Sequence, residues 1–487
     1  MGTLENMLAY NYEFRDPIHG LIPVNKAEKL LIDSEPFQRL RNIKQLGTSY
    51  KIYHGAEHSR FGHSIGVMHI VGRVFDAIWN QPASKLRTIW NEDEFKKYKQ
   101  IARIAALLHD IRHGPFSHVG ENEEYGLFKK MNDVDNQERT GHEVYSRLIV
   151  RDLLGGKIEK NFKDLDVKAN DVLTVFLGQS TDRHHRFIDE LISGQLDADK
   201  MDYLLRDSHY CGVQYGVYDI EKLINSLTIC CSKYDQWQLG VGSDGVHVVE
   251  EFVFARYWMF LQVYFHKTRR IYDYYVSKAL KEMYPFGYPT DLNEYLKIHD
   301  IKIMESFRSE GTSSSWVKAY FCRPYLKEAF VSKPLQEVDE EKDRIAWVMQ
   351  QVEENYEGKI ELYMDQAKGK TAKTLIDIKK FLEEAEGNNE AEENDEKLPA
   401  IPVVDKFTGR VFPIQNISVP LASVSGKKIN VLRVYTTEEH RDEVRNFCHQ
   451  KFYEDYDEYL DKLLEAKAYV DQETKKQKER LKKYMND

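Results

Sequence analysis

From Ile101 to Leu108 the apolar residues Ile101, Ile104, Ala105 and Leu108 recur at helical spacing, and the run ends directly in His109 and Asp110. Adjacent His and Asp side chains reach one ion only where the backbone presents them at a helix end, so this segment reads as a buried helix that delivers metal-type residues. Histidines gather around it. His54, His58, His63, His69, His109, His113, His118 and His142 are eight of the chain's 17, in less than a fifth of its length. Imidazole is the side chain that most readily ligates metals and moves protons near neutral pH, and the clustering marks a site.

Further helices are expected over 26–46, 64–80, 93–109, 142–154, 169–177, 185–192 and 199–206, followed by short strands between 227 and 249, with Ser243-Asp244-Gly245 as a hairpin turn. Helical pattern returns over 250–284 and continues to about 382. The block 383–397 holds eight acidic side chains and one lysine, the composition of a solvated linker. Alternation over 403–436 then predicts strands, and a charged helical tail runs over 437–487. The expected fold class is mainly α: a helical core over 1–382, whose metal-binding helices span about 50–285, with a small β-hairpin insertion; an acidic loop over 383–398; and a smaller α+β region over 399–487.

The five cysteines, Cys211, Cys230, Cys231, Cys322 and Cys448, include no CxxC pair. Neither a disulfide framework nor a thiolate zinc site is indicated, and any metal falls to histidines and carboxylates. The 69 basic against 79 acidic residues, a net charge of −10, exclude a uniformly basic nucleic-acid binder. The N-terminus lacks the basic-then-apolar order of a secretory signal, and the apolar stretch 248–265 is interrupted by Glu250, Glu251 and Arg256. A cytoplasmic protein without a membrane span is expected.

A second nitrogen ligand and a second carboxylate must join His109 and Asp110 from elsewhere; His63, ahead of one amphipathic helix, and Asp199, at the start of another, are candidates. Two histidines and two aspartates with open positions suit Mn, Fe, Zn or Ni, and Mg less comfortably. His113, His118 and His142 are candidates for proton transfer or phosphate contact. Asp199, Tyr203 and Asp207 fall at i, i+4 and i+8, on one helix face, with Lys200 one position around.

Five segments then resemble a known family: FQRLRNIKQLG (37–47), SRFGHSIGV (59–67), HDIRHGPFSH (109–118), DADKMDYLLRD (197–207) and YFHK (264–267) are similar, in order, to the HD-domain deoxynucleoside triphosphate triphosphohydrolases, the dGTPase and sterile-alpha-motif-and-HD enzymes. The likeness covers about 10–285 and extends thinly beyond. No sterile-alpha-motif domain is expected, because DPIHG (16–20) lies almost at the N-terminus. The resemblance implies His63, His109, Asp110 and Asp199 as ligands of a divalent metal. It implies Arg60, Lys200 and Arg256 on the triphosphate, His118 protonating the departing 5′-oxygen, and His113 and His142 completing the phosphate pocket. Glu121 stands where the family usually has Asp. Gln45, Tyr203 and Asp207 match residues that bond the sugar 3′-hydroxyl; Leu46 and Tyr264 match those that pack under C2′, where an added hydroxyl is crowded and unpaired.

The implied reaction is attack of a metal-activated water at the α-phosphorus of a dNTP, giving deoxynucleoside and tripolyphosphate, by a dimer or tetramer. Asp33, Arg41, Lys267 and Arg433 match a GTP or dGTP activator site of the family. Tyr12, Glu13, Arg15 and Thr437 depart from it, so a simpler activator site or constitutive activity is as well supported as activation in the vertebrate manner. The competing readings are an HD phosphohydrolase of a nucleoside monophosphate, cyclic or signalling nucleotide, and a nucleotide-sensing nucleic-acid-binding protein using basic runs such as 475–478.

Overall fold

The computed structural model describes residues 9–461 except 83, 122–124, 135–136, 232–236, 310–313, 337–339, 367–400 and 426–427. The acidic block 383–397 and the basic run 475–478 lie outside the described residues. Residues within 1–323 and 375–426 form one compact unit, and those within 324–374 and 427–487 a second. This division differs from a core ending at 382: the chain leaves the first unit after Arg323 and re-enters it later.

The first unit is mainly helical. A hairpin of β1 (Tyr12–Asp16) and β2 (Gly20–Val24) precedes α1 (Lys26–Ile32). That hairpin falls where only helices are expected. Its turn is closed by Asp16 Oδ1, which accepts the N–H groups of Ile18 and His19 at 2.9 and 3.1 Å. Nor is 26–46 one helix. Ser34 turns its hydroxyl back onto the Leu31 carbonyl at 2.6 Å, Pro36 opens a new short helix over Glu35–Gln38, and Ile43 is extended.

Helix α2 (Arg60–Trp79) is buried on nearly every side, including Phe61, Ile65, Met68, Val71 and Phe75, as a helix apolar all round must be. It packs on α3 (Glu92–Leu108), which opens with an Asn91–Glu94 capping box and buries Ile101, Ile104, Ala105 and Leu108 as the spacing predicts. Around them lie α4 (His142–Leu148), α5 (Ala169–Leu177), α6 (Arg186–Ser193) and α7 (Ala198–Cys211), the last capped by the Asp197 side chain on Lys200 N–H and stopped by left-handed Gly212.

Strands β3 (Leu227–Cys231) and β4 (Trp237–Gly242) pair antiparallel, and β4 is flanked on its other edge by β5 (Pro402–Val404), parallel to it, which carries β6 (Val411–Pro413). Ser243–Gly245 is not the hairpin turn; it is a 3-10 turn leading into α8 (Val246–Met259). The helical run to Tyr284 is interrupted at His266, whose ring caps α9 (Lys267–Met283), and α10 (Asp300–Ser309) follows. Residues 419–424, expected in a strand, form a short helix opened by Ser418 and Pro420.

The second unit is a three-stranded antiparallel sheet with 432–436 between 327–331 and 362–366, covered by helices Glu340–Tyr356 and Arg441–Gln450. Phe330, Ile345, Val348, Val352, Leu432, Val434, Val444 and Phe452 fill its core. Among the described residues no helix is long and apolar enough to cross a membrane.

Candidate metal centre and sugar-side pocket

Three elements of the first unit bring His63, His109, Asp110 and Asp199 together. His63 comes from the first turn of α2, His109 and Asp110 from the end of α3, and Asp199 from the first turn of α7. His63 Nε2 lies 3.0 Å from Asp199 Oδ1 and 3.6 Å from Asp110 Oδ2; His109 Nε2 lies 3.3 Å from Asp110 Oδ1 and 3.6 Å from Asp199 Oδ1. His109 Nδ1 donates to the Ala106 carbonyl at 2.7 Å, which leaves the other ring nitrogen as the one aimed at the carboxylates. That Nε2 is buried and has no hydrogen-bond partner. Two imidazoles and a carboxylate converging in this way, with one orphaned lone pair, form a cluster able to hold a divalent metal ion.

The electrostatics fit a cation. Burial opposes protonation of His63, yet hydrogen bonds to Asp199 and Asp202 and the charge of Asp110 push its pKa up to about 10. Burial would raise the Asp110 and Asp199 carboxyls as well. Arg60, His109 and His113 hold the first well below the carboxylate range, and His109 and His63 hold the second there.

Behind the cluster stands Asp202, which lies within 197–207 but to which the resemblance assigns no role. Fully buried, it accepts from His63 Nδ1 at 2.7 Å, from His19 Nε2 at 2.7 Å and from both Arg206 Nε and Nη2 at 2.7 and 2.9 Å; Arg206 also reaches Asp16 at 2.8 Å. Fixing one ring nitrogen of His63 aims the other. The available signal is spacing: Asp202 and Arg206 follow Asp199 at i+3 and i+7. The approach is close enough that a Cβ on Gly66 of α2 would fall 1.9 Å from Asp202 Oδ1.

Beside the cluster, His113 Nε2 sits 3.0 Å from Asp110 Oδ1 while its Nδ1 meets Glu121, whose second oxygen is 3.1 Å from His118 Nδ1. The His118 side chain is 58% exposed, the open end of this relay. Arg60 joins too, bonding Asp110 and donating from Nε to Ser117 Oγ at 2.7 Å. His142 heads α4, and its side chain lies outside the described residues.

The sugar-side candidates also converge. The Tyr264 hydroxyl donates to Asp207 Oδ2 at 2.8 Å, and its ring meets that of Tyr203 edge-on at 6.0 Å. His58 Nε2 lies 2.8 Å from the other Asp207 oxygen, and the His58 carbonyl accepts Gln45 N–H at 3.0 Å. Leu46 is buried, and Gln45 Oε1 and Arg256 Nε are buried without partners. Burial, with Asp207 and Tyr203 adding to it, holds the Tyr264 phenol well above its ordinary range, so it stays a donor. Lys200 behaves differently: its ammonium is buried on Asp197 and on the Gly194 carbonyl at 2.8 Å. Of the activator candidates, Asp33 pairs with Lys29 on the surface, Arg41 stacks 3.5 Å above the Phe61 ring, Lys267 opens α9, and Arg433 in the second unit pairs with Glu328 at 2.9 Å.

Comparison with known proteins gives the following. Residues 60–207 match the HD domain, and residues 218–453 match the HD associated region. The Bacillus subtilis protein YwfO is 33% identical over 334 residues, 64% of this chain and 69% of that protein. A Dictyostelium discoideum protein named as a homologue of the deoxynucleoside triphosphate triphosphohydrolase SAMHD1 is 30% identical over 289 residues, 58% of this chain and 50% of that one. The crystal structure of a hypothetical protein from Aquifex aeolicus superposes with a TM-score of 0.66 at 26% identity, covering 90% of this chain and 99% of that chain.

Proposed function

The chain belongs to the HD-domain family in which an HD-associated region follows the HD domain, metal-dependent phosphohydrolases, and from that premise we propose that it hydrolyses deoxynucleoside triphosphates to deoxynucleoside and tripolyphosphate. One observation carries the reading: three buried polar atoms without partners, His109 Nε2, Gln45 Oε1 and Arg256 Nε, belong to the metal-type cluster and to the adjoining tyrosine- and aspartate-lined residues. A buried polar group left unpaired calls for a partner such as a ligand, an ion or a water, and here three such atoms fall together at one site. The name carried by the Dictyostelium relative supports the same substrate class.

In this reading His63, His109, Asp110 and Asp199 hold a divalent ion, which supplies Lewis acidity and an activated water. Asp202 and His19 fix the tautomer and aim of His63. Arg256, with Arg60 turned partly to Asp110, meets phosphate charge, and the exposed His118, held by Glu121, delivers a proton to the 5′-oxygen. Asp207 and Gln45 bond the 3′-hydroxyl, while Tyr264 and Leu46 leave no room or partner for a 2′-hydroxyl. Lys200 contributes through the cap of α7 and not through the phosphate. The test is a panel of each dNTP and NTP with Mn²⁺ or Mg²⁺, with and without GTP or dGTP, and identification of the phosphate product. Tripolyphosphate from dNTPs is expected; pyrophosphate, or turnover of NTPs alone, overturns the proposal.

A further inference from the structure

The loop that carries His113, His118 and Glu121 contains two non-glycine residues in the left-handed region, Phe116 with φ 57° and Ser117 with φ 56°. Such a pair is costly and persists only where its surroundings over-determine it. Asp300 and Tyr295, in one short segment of the HD-associated region far along the chain, restrain the loop together with Arg39 and Gly47. Asp300, 3% exposed at the start of α10, accepts Phe116 N–H on Oδ1 at 2.7 Å and Lys44 N–H on Oδ2 at 2.9 Å. Arg39 donates to the His113 carbonyl at 2.8 Å and twice to the Ile298 carbonyl, at 2.7 and 3.0 Å, with its guanidinium 5.0 Å from the centre of the Tyr295 ring. The Tyr295 hydroxyl bonds the Arg112 carbonyl. On the remaining side Phe116 O lies where a Cβ on Gly47 would be only 2.6 Å away.

We propose that the Tyr295–Asp300 segment is the positioning element of this loop, with Asp300 and Tyr295 as positioning residues that hold the left-handed Phe116–Ser117 turn and thereby aim His113 and His118. The inference rests on the reading that these histidines serve phosphate-ester hydrolysis. In it the HD-associated region completes the geometry of the HD domain's own loop. Asp300 is suited to this because both carboxylate oxygens accept, whereas an amide has one acceptor and must turn its NH₂ toward an N–H. The hydroxyl of Ser117, in the same turn, accepts from Arg60 and donates to the Lys44 carbonyl at 2.6 Å, so a displaced turn also displaces Arg60.

The test uses the full chain loaded with Mn²⁺, comparing the parent with Asp300→Asn and with Tyr295→Phe, which removes one hydroxyl and keeps the buried ring. Three readouts are taken: amide hydrogen exchange of the peptide covering 112–121, kcat and KM for a hydrolysed dNTP, and bound manganese. For Asp300→Asn, exchange in 112–121 accelerates and kcat falls by about ten- to a hundredfold, the cost of misplacing reacting groups by a fraction of an ångström to an ångström. KM moves less than kcat, and manganese content stays at the parent level. Tyr295→Phe shows the same pattern more weakly and carries the test if Asp300→Asn does not fold. Unchanged exchange over 112–121, or faster exchange with kcat intact, overturns the inference. If the parent turns over no dNTP, the substrate reading has failed, and the positioning role is judged on exchange alone.

Discussion

Asp202 is a carboxylate with no free acceptor: His63, His19 and both nitrogens of the Arg206 fork occupy it. Its role is to hold the ring that faces Asp199 and Asp110. Asp202→Asn keeps the volume, removes the charge and reverses one hydrogen bond, so metal affinity is expected to fall by about 10–100-fold, measured as bound Mn²⁺ against free concentration. Parent-like affinity contradicts that role. Gly66 is the steric counterpart. A methyl at this position meets Asp202 Oδ1 head-on, and Gly66→Ala is expected to cost about 1–3 kcal/mol of stability, as overpacking does, read from urea unfolding with metal content followed in parallel. The four residues named from the sequence as ligands do converge, because each stands at the head or end of a strongly patterned helix. The roles of His19 and His58 are not legible in the sequence for a physical reason: each acts through a partner distant in the chain. For Asp202 local spacing marks the pairing with Arg206, but nothing local marks the pairing with His63.

Helices are legible where burial and capping agree. For 169–177 the limits read from spacing coincide with the element, and α3 differs by one residue at each end. Periodicity misleads where a backbone device interrupts a helical pattern, as Ser34 and Pro36 do after α1 and His266 before α9, or where a cap and proline start a helix inside an alternating stretch, as Ser418 and Pro420 do at 419–424. The hairpin over Tyr12–Val24 turns through Asp16-Pro17 and left-handed Gly20, with Asp16 accepting two backbone N–H groups, a weaker signal than an Asn-Gly pair. At this scale the junction between α6 and β4 makes a pH prediction. Glu190 Oε2 accepts Leu239 N–H at 2.8 Å, and burial pushes the Glu190 carboxyl up to about 8 against the pull of that N–H and of Arg186. Its folded pKa is raised, so folding takes up a proton there. The associated stability is complete below the ordinary glutamate range and is lost as pH rises toward 8. Glu190→Gln keeps an acceptor and cannot ionise. Its melting temperature should match the parent near pH 4 to 5 and exceed it increasingly up to about pH 9; parallel curves count against this assignment.

The whole chain is woven between its two units. Strands β5 and β6 return to the first unit after the chain has built much of the second, and 432–436 is the central strand of the second unit's sheet. A division at 382, natural from the acidic composition that follows, separates neither unit. Of the net charge of −10, the block 383–397 contributes −7, so the rest of the chain carries only about −3. A chain ended at residue 382 loses the partners of both sheets and leaves the β4 edge open, a template for association. Such a chain is expected to elute as aggregate in size-exclusion chromatography; a monodisperse product means the returning strands are dispensable.

The parallel pairing of Val403 with Val241 also sets a schedule during synthesis. Strand β4 leaves the ribosome well before its partner, and at about 5–20 residues per second the interval lasts roughly ten to thirty seconds. Over that interval α8, α9 and α10 are also made, and the β4 edge that β5 will cover has no strand to pair with. Pausing or slow codons between 242 and 402 lengthen the exposure.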